Sequence, residues 1–343
     1  MNAGLIVIIL LLVLSILGIP IYLALGIGTL VALNMADMPF IVLPQKLFAG
    51  MNSSSLLAIP FFMLAGNIMS RSITGKLIDV SNALIGWIKG SLAVVTVLAS
   101  ALFGAISGSG VATASAVGGT NIPAMKEEGY PDHFAAAISG IAAILGPIIP
   151  PSITLIVYAS ITDLSVSKLF VGSVIPGILM AVGLIIYALF YGKKNDLPAH
   201  ERKSAKEVLL IFKDSIWALL MPVIILGGIF GGIFTPTESA AVAVVYALLV
   251  SLLIYKDIKI KDIPGIFVDG AISTATILML VGISKSSGYV ITTSGLPHQV
   301  LEVFSSFTNS TVVILLLLNI LFLVIGMLME ANAAIIMMTP ILL

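Results

Sequence analysis

The chain has 343 residues, of which 59% are hydrophobic and 9% charged, and its mean hydropathy is +1.19. Soluble domains carry about 25% charged residues, so 16 basic and 16 acidic side chains cannot cover a water-facing surface of this size, and lipid must be the main solvent. The zero net charge argues against a nucleic-acid partner, and the absence of cysteine excludes disulfides, thiolate metal sites and cysteine nucleophiles.

A membrane-crossing helix needs about 20 mostly apolar residues. The first apolar run starts at Leu5 and continues past Leu33. That is too long for the apolar core of a cleaved signal, about 7–15 residues, and no basic stretch precedes it. Residues 4–34 therefore read as the first membrane helix. Further segments follow at 54–70, 91–106, 110–125, 133–163, 166–192, 214–233, 236–255, 267–287, 311–327 and 329–343. The fold class is an all-α polytopic membrane protein.

Some segments depart from plain spans. The limbs 91–106 and 110–125 are separated by little more than Gly108 and Ser109. Each limb is about 16 residues, or about 24 Å, short of a hydrocarbon core of about 30 Å. Either the pair crosses twice or it forms a re-entrant hairpin, and the length favours the hairpin. Segment 133–163 is interrupted by Gly146-Pro147-Ile148-Ile149-Pro150-Pro151-Ser152. Prolines remove backbone donors and clash with the preceding turn, so this helix breaks.

The polar connectors set orientation. The long charged linker 193–213 and the basic loop holding Lys256, Lys259 and Lys261 both belong on the cytoplasmic side by the positive-inside rule. Two helices separate them, so the parity is consistent. Counting back, the first hairpin starts beside Lys89 and ends beside Lys126, both cytoplasmic. Counting forward, 288–310 lies outside and lacks Lys and Arg, so the final pair 311–327 and 329–343 enters from the opposite side.

An internal repeat agrees with this count. Ser72 to Leu77, an amphipathic run to Trp87 and the segment 91–106 are echoed by Thr292 to Pro297, a run to Phe307 and the segment 311–327. Short amphipathic helices of this kind lie in the interface. Inverted repeats with broken helices mark secondary transporters, with the solute site near the midplane. The division expected is a first half, 1–192, with a hairpin at about 91–125 and the broken helix 133–163; the linker 193–213; and a second half, 214–343, with a hairpin at about 311–343. A second Pro-rich break, the partner of 133–163, would follow Leu343, so the copy is expected to be truncated and one of its sites incomplete.

Three places carry candidate chemistry. Backbone freed from helical bonding cannot stay unpaired in hydrocarbon. The tip Ser107-Gly108-Ser109-Gly110 offers carbonyls and hydroxyls, hard ligands suited to a small cation such as Na⁺. The limb starting at Gly110 offers the positive end of a helix dipole, which suits an anion. Close packing of small residues is the alternative. At the break, the carbonyls near Gly146 and the hydroxyls of Ser152 and Thr154 are candidates, against a kink that serves packing alone. In the last hairpin, Gly326 to Pro340 stands out, with Glu330, Asn332 and Thr339, because an acid inside a membrane segment is a functional hypothesis; an aqueous vestibule or a cationic partner for Glu330 is equally consistent. The histidines, His133, His200 and His298, show no metal spacing, and no phosphate loop or nucleophile elbow is present. No acid or histidine lies in the first hairpin to activate a serine, so the chain is not expected to be an enzyme.

The combination Ser107-Gly108-Ser109-Gly110-Val111-Ala112-Thr113-Ala114-Ser115, Ile122-Pro123-Ala124-Met125, Gly146-Pro147-Ile148-Ile149-Pro150-Pro151-Ser152, Ile59-Pro60-Phe61-Phe62, Thr235-Pro236-Thr237-Glu238-Ser239-Ala240 and Glu330-Ala331-Asn332-Ala333 resembles the large membrane subunit of tripartite ATP-independent periplasmic (TRAP) transporters. The resemblance spans essentially the whole chain. It implies an elevator-type carrier of the ion-transporter superfamily in the inner membrane of a bacterium or archaeon. It further implies sodium-coupled uptake of an organic acid such as a C4-dicarboxylate or sialic acid, a small membrane subunit, and a periplasmic solute-binding protein. No cofactor is implied beyond Na⁺ as coupling ion. Ser107, Ser109 and Gly146 carry over as sodium ligands, with Gly108, Gly110, Pro150 and Ser152 around them, and Gly326, Glu330 and Asn332 at the second hairpin. The alternative is an anion carrier of related fold that works without a binding protein.

Overall fold

The structure is a computed structural model that describes residues 2–307 and 310–342. It is helical, with no strand among the described residues. In chain order come α1 (Ala3–Ile16), α2 (Ile21–Met35), α3 (Val42–Met51), α4 (Ala58–Ser72), α5 (Thr74–Ile85), α6 (Ser91–Ser107), α7 (Gly110–Thr113), α8 (Gly119–Glu127), α9 (Asp132–Ala143), α10 (Leu145–Ile148), α11 (Ile153–Thr162), α12 (Val166–Lys194), α13 (Ala205–Phe230), α14 (Pro236–Leu249), α15 (Ile263–Thr293), α16 (Leu296–Phe307), α17 (Thr311–Leu328) and α18 (Ala331–Leu342). Among the described residues four helices are long and apolar enough to cross a membrane, and six spans result if each bent pair counts as one. The chain is a polytopic membrane protein.

The segment 4–34 is not one helix. It divides at Leu17-Gly18-Ile19-Pro20 into α1 and α2. Ile19 N–H reaches back to Leu14 O at 3.0 Å, and the fixed φ of Pro20 suits a helix start rather than its continuation. Each piece is about 21–23 Å long by its rise per residue, so neither spans alone. Helix α3 was not expected either.

Two compact units result. The first comprises Met1–Leu56, Val157–Asp163 and Ser273–Leu343. Its centre is the later part of α15, where Val281, Ile283, Ser284, Ser286, Ser287, Val290 and Ile291 are buried. The buried hydroxyls are used. Ser286 donates to Leu43 O at 2.8 Å, and Thr29 and Ser287 share a 2.6 Å bond, so α15 holds α3 and α2.

The second unit comprises Leu57–Ile156 and Leu164–Ile272. Helix α6 is buried along nearly its whole length, and α4, α5, α9 and α12 pack around it. Its small residues, Ala93, Ala99 and Gly104, permit such close surroundings. Asn121 of α8 donates to Thr96 of α6 at 3.0 Å, a buried bond that ties the two limbs of the first hairpin together. The linker expected at 193–213 is shorter as irregular chain. Helix α12 runs to Lys194, and the capping box of Ser204 and Glu207 starts α13.

Ion pairs and a histidine–carboxylate contact gather the polar connectors of this unit. Lys76 pairs with Asp214 and Lys89 with Asp196. Arg71 meets Asp269 at 2.7 Å, Lys126 meets Asp132 at 3.2 Å, and His200 meets Glu128 at 2.8 Å. The hydrogen bond and charge of Lys89 hold the Asp196 carboxyl below its ordinary range. The hydrogen bond that Lys76 donates to Asp214 raises the lysine above its ordinary value. The stretches 71–90, 126–132 and 193–214 therefore adjoin one another, in keeping with the single face given by the charge count.

The element order of the repeat is present. An amphipathic helix (α5, α16) precedes an apolar helix (α6, α17), a tip, and a returning helix (α7 with α8, α18).

Candidate functional site

In the second unit, α6 ends at Ser107 and the chain reverses within two residues. Gly108 takes φ +63°, a left-handed conformation that glycine adopts without penalty, and its N–H closes the helix on Gly104 O at 2.9 Å. Ser109 is extended and caps the return limb, its hydroxyl accepting from Ala112 N at 3.3 Å. The limb then runs through a single α turn into a π-helical stretch, Ala114–Gly118, a geometry frequent at functional sites.

At the break, α10 stops at Ile148, Ile149 is extended, and the Pro150–Pro151 peptide is cis. The bend across the break is 45°. Ser152 turns its hydroxyl to Pro147 O at 2.5 Å and accepts from Leu155 N at 3.2 Å. It thereby satisfies the carbonyl freed by the break and caps α11.

The tip and the break meet. Ile153 N–H donates to Gly108 O at 3.2 Å. A Cβ on Gly146 would lie 2.8 Å from both Ser109 O and Thr113 Oγ1, and one on Gly104 would lie 2.7 Å from Gly146 Cα. Only glycine allows backbones this close. The oxygens cluster around that contact. Thr113 Oγ1 donates to Ser109 O at 2.7 Å, and Ser107 Oγ stands 3.5 Å from Ser109 O and 3.4 Å from Thr113 Oγ1. Ser107, Thr113 and Ser152 are buried, while Ser109 and Gly110 are partly open. No ionisable residue occurs in 103–115 or 144–156. The cluster is thus a set of neutral hard oxygens in a low-dielectric setting, chemistry suited to a small hard cation.

The structure therefore brings Ser107, Gly108, Ser109, Gly110 and Gly146 together. Pro150 is buried in the break, but it is Pro151 whose carbonyl lies against Gly108. Ser152 faces Pro147 rather than the tip. Thr113 and Gly104 were missing from the sequence-based set. Thr113 follows Ser109 by four residues, the spacing that puts a Thr hydroxyl on an i−4 carbonyl, and Gly104 lies one turn before Gly108.

In the first unit, Glu330 starts α18. Its carboxylate accepts from Asn332 N at 3.1 Å and from Asn332 Nδ2 at 2.7 Å. Glu330 is exposed, and Asn332 Oδ1 is buried without a partner. Gly326 is exposed within α17 and has open space around it. Glu330 and Asn332 are joined, and Gly326 stands apart from them.

Residues 8–343 match the family model for the tripartite ATP-independent periplasmic transporter, DctM component. The chain is 40% identical over 329 residues to the uncharacterized protein YgiK of Salmonella typhimurium, covering 94% of this chain and 75% of that one. It is 40% identical over 297 residues to the C4-dicarboxylate TRAP transporter large permease protein DctM of Pseudomonas aeruginosa, covering 86% and 70%. Identity to the sialic acid TRAP transporter large permease protein SiaM of Vibrio cholerae is 35% over 298 residues, covering 86% and 70%. A polytopic chain with a hairpin tip seated on a broken helix, matched by these relatives along nearly its whole length, is a transport protein and not an enzyme: it belongs to the DctM family, the large permease component of TRAP transporters.

Proposed function

We propose that the chain is the large membrane subunit of a secondary carrier that uses the sodium gradient to take up an organic acid. The observation that supports this best is the cluster of neutral oxygens where the hairpin tip meets the broken helix: Ser107, Ser109, Gly108, Thr113 and Gly146. A neutral oxygen cage in hydrocarbon gains a favourable partner when a small cation enters, and the cation's charge then favours a carboxylate nearby. Gly326, Glu330 and Asn332 are proposed as the corresponding elements of the second hairpin. The halves 1–192 and 214–343 carry one hairpin each.

The proposed solute class is supported by relatives described as permeases for C4-dicarboxylate, sialic acid and 2,3-diketo-L-gulonate, all of them organic acids. The partners proposed are a small membrane subunit and a periplasmic binding protein, in a bacterial inner membrane. Movement is proposed to be of elevator type, one mobile body carrying the site between faces.

The test is uptake into proteoliposomes containing the full-length protein, its small subunit and its binding protein. Accumulation is expected only with an inward sodium gradient, and accumulation without one would overturn the coupling. Transport by the membrane subunits alone would select the carrier that needs no binding protein. Ser109→Ala is expected to raise the sodium concentration needed for half-maximal uptake, and an unchanged sodium response would remove Ser109 from the site.

A further inference from the structure

Lys46 on α3 and Lys285 on α15 are the only lysines in the first unit, which has no arginine. Both line one cavity of about 470 Å³, with Gly50, Tyr289, Thr292 and Thr339 among its walls. The acids of this unit, Asp37, Asp163, Glu302 and Glu330, do not line it, and among the described residues neither lysine has a carboxylate partner. What they have is weaker. Lys285 Nζ donates to Ile161 O at 3.3 Å, near the C-terminal end of α11. Lys46 Nζ lies 4.4 Å from the centre of the Tyr289 ring. A carbonyl and a ring face ease the burial of a charge without neutralising it.

The arrangement is built from the sequence upward. Lys285, Gly288, Tyr289 and Thr292 stand at i, i+3, i+4 and i+7, one face of α15. A Cβ on Gly50 would come within 2.8 Å of Lys285 Cβ and Cγ, so glycine there gives the lysine its path into the cavity. Charged residues inside membrane segments are costly and mark function. Two unneutralised ammonium groups, with threonine hydroxyls and no acid, form a site of positive potential. The volume falls in the range of small-ligand pockets, about 300–1,000 Å³.

We infer that this cavity binds an anionic ligand through a carboxylate or phosphate group held between Lys46 and Lys285. The inference is independent of the oxygen cluster from Ser107 to Gly146, whose residues belong to the other unit. The ligand could be a soluble organic acid or the headgroup of an anionic lipid; the two share this chemistry and differ in where they come from.

The experiment uses the full-length protein in nanodiscs of phosphatidylcholine. Succinate and inorganic phosphate are titrated by calorimetry, and in a second arm phosphatidylglycerol is added to the bilayer and retained lipid is counted by native mass spectrometry. Saturable binding of either soluble anion, or selective retention of phosphatidylglycerol, is expected. Lys46→Gln and Lys285→Gln should each weaken it by about tenfold or more, the value of one charge-assisted hydrogen bond. Lys285→Arg should retain it. Should Lys285→Gln fail to fold, Lys46→Gln, on a different helix, decides alone. No binding in either arm, or binding of undiminished strength in the Lys46→Gln variant, would overturn the inference.

Discussion

Replacing Gly146 by alanine tests the contact between hairpin tip and broken helix most directly. The added Cβ would sit 2.8 Å from Ser109 O and Thr113 Oγ1 and 2.9 Å from Ser109 C. Two of those atoms are backbone, so the strain cannot be relieved by turning a flexible side chain. Overpacking of this kind costs about 1–3 kcal/mol. Alanine also favours a helix over glycine by about 1 kcal/mol, which masks part of the loss. The control is Gly140→Ala, a helical glycine with open space around it, where only the propensity gain applies. The propensity terms cancel in the comparison, so Gly146→Ala should be less stable than Gly140→Ala by about 1–3 kcal/mol. In a thermal-shift assay of the purified protein this is a gap of about 2–6 °C in apparent midpoint, taking about 2 °C per kcal/mol for a large chain. The sodium-induced shift should shrink in Gly146→Ala alone. Equal midpoints and equal sodium shifts in the two variants would refute the close approach.

Other outcomes follow from the same geometry. Thr113→Val keeps the shape of the side chain and removes the hydroxyl bonded to Ser109 O; it should cost about 1 kcal/mol and weaken sodium-dependent uptake, with full sodium response counting against the oxygen cluster. Asn121→Leu deletes the buried bond to Thr96 and should destabilise by about 1 kcal/mol, read as faster hydrogen exchange in the hairpin limbs; unaltered exchange would show that the bond does not hold them. Burial, and then the charge of Glu128, push the Tyr130 hydroxyl from 10.0 up to about 12. A raised folded-state value means this contribution is intact below pH 10 and is lost as pH climbs through about 12. Tyr130→Phe should flatten that alkaline loss of stability, and an identical alkaline profile in the variant would assign the loss elsewhere.

The breaks were legible because their signals are chemical and local. Ser107 to Gly110 and Gly146 to Ser152 each concentrate residues that cannot sustain a helix in lipid. The face shared by 71–90, 126–132 and 193–213 was legible because charges in a greasy chain are few enough to count. Hydropathy failed where one disruptive residue is diluted by its neighbours. Gly18 and Pro20 divide α1 from α2 within a run whose mean hydropathy hardly drops. Lys285 is hidden in the 31 residues of α15 for the same reason, and Pro44, Gln45 and Lys46 kept α3 below the threshold for an apolar helix. Thr113 was passed over because which hydroxyl turns inward depends on the limb's local winding, and the π-helical stretch that follows was not foreseen.

The bond from Ile153 N–H to Gly108 O has a practical consequence for anyone dissecting this protein. Both partners are main-chain atoms, so alanine scanning is blind to it: each substitution at 108 or 153 other than proline leaves donor and acceptor in place. A survey of side chains registers the steric contacts there, such as the 2.7 Å approach of a Cβ on Gly108 to Pro151 O, but never this bond itself. Exposing it takes an edit of the backbone itself, such as an ester in place of the amide at position 153.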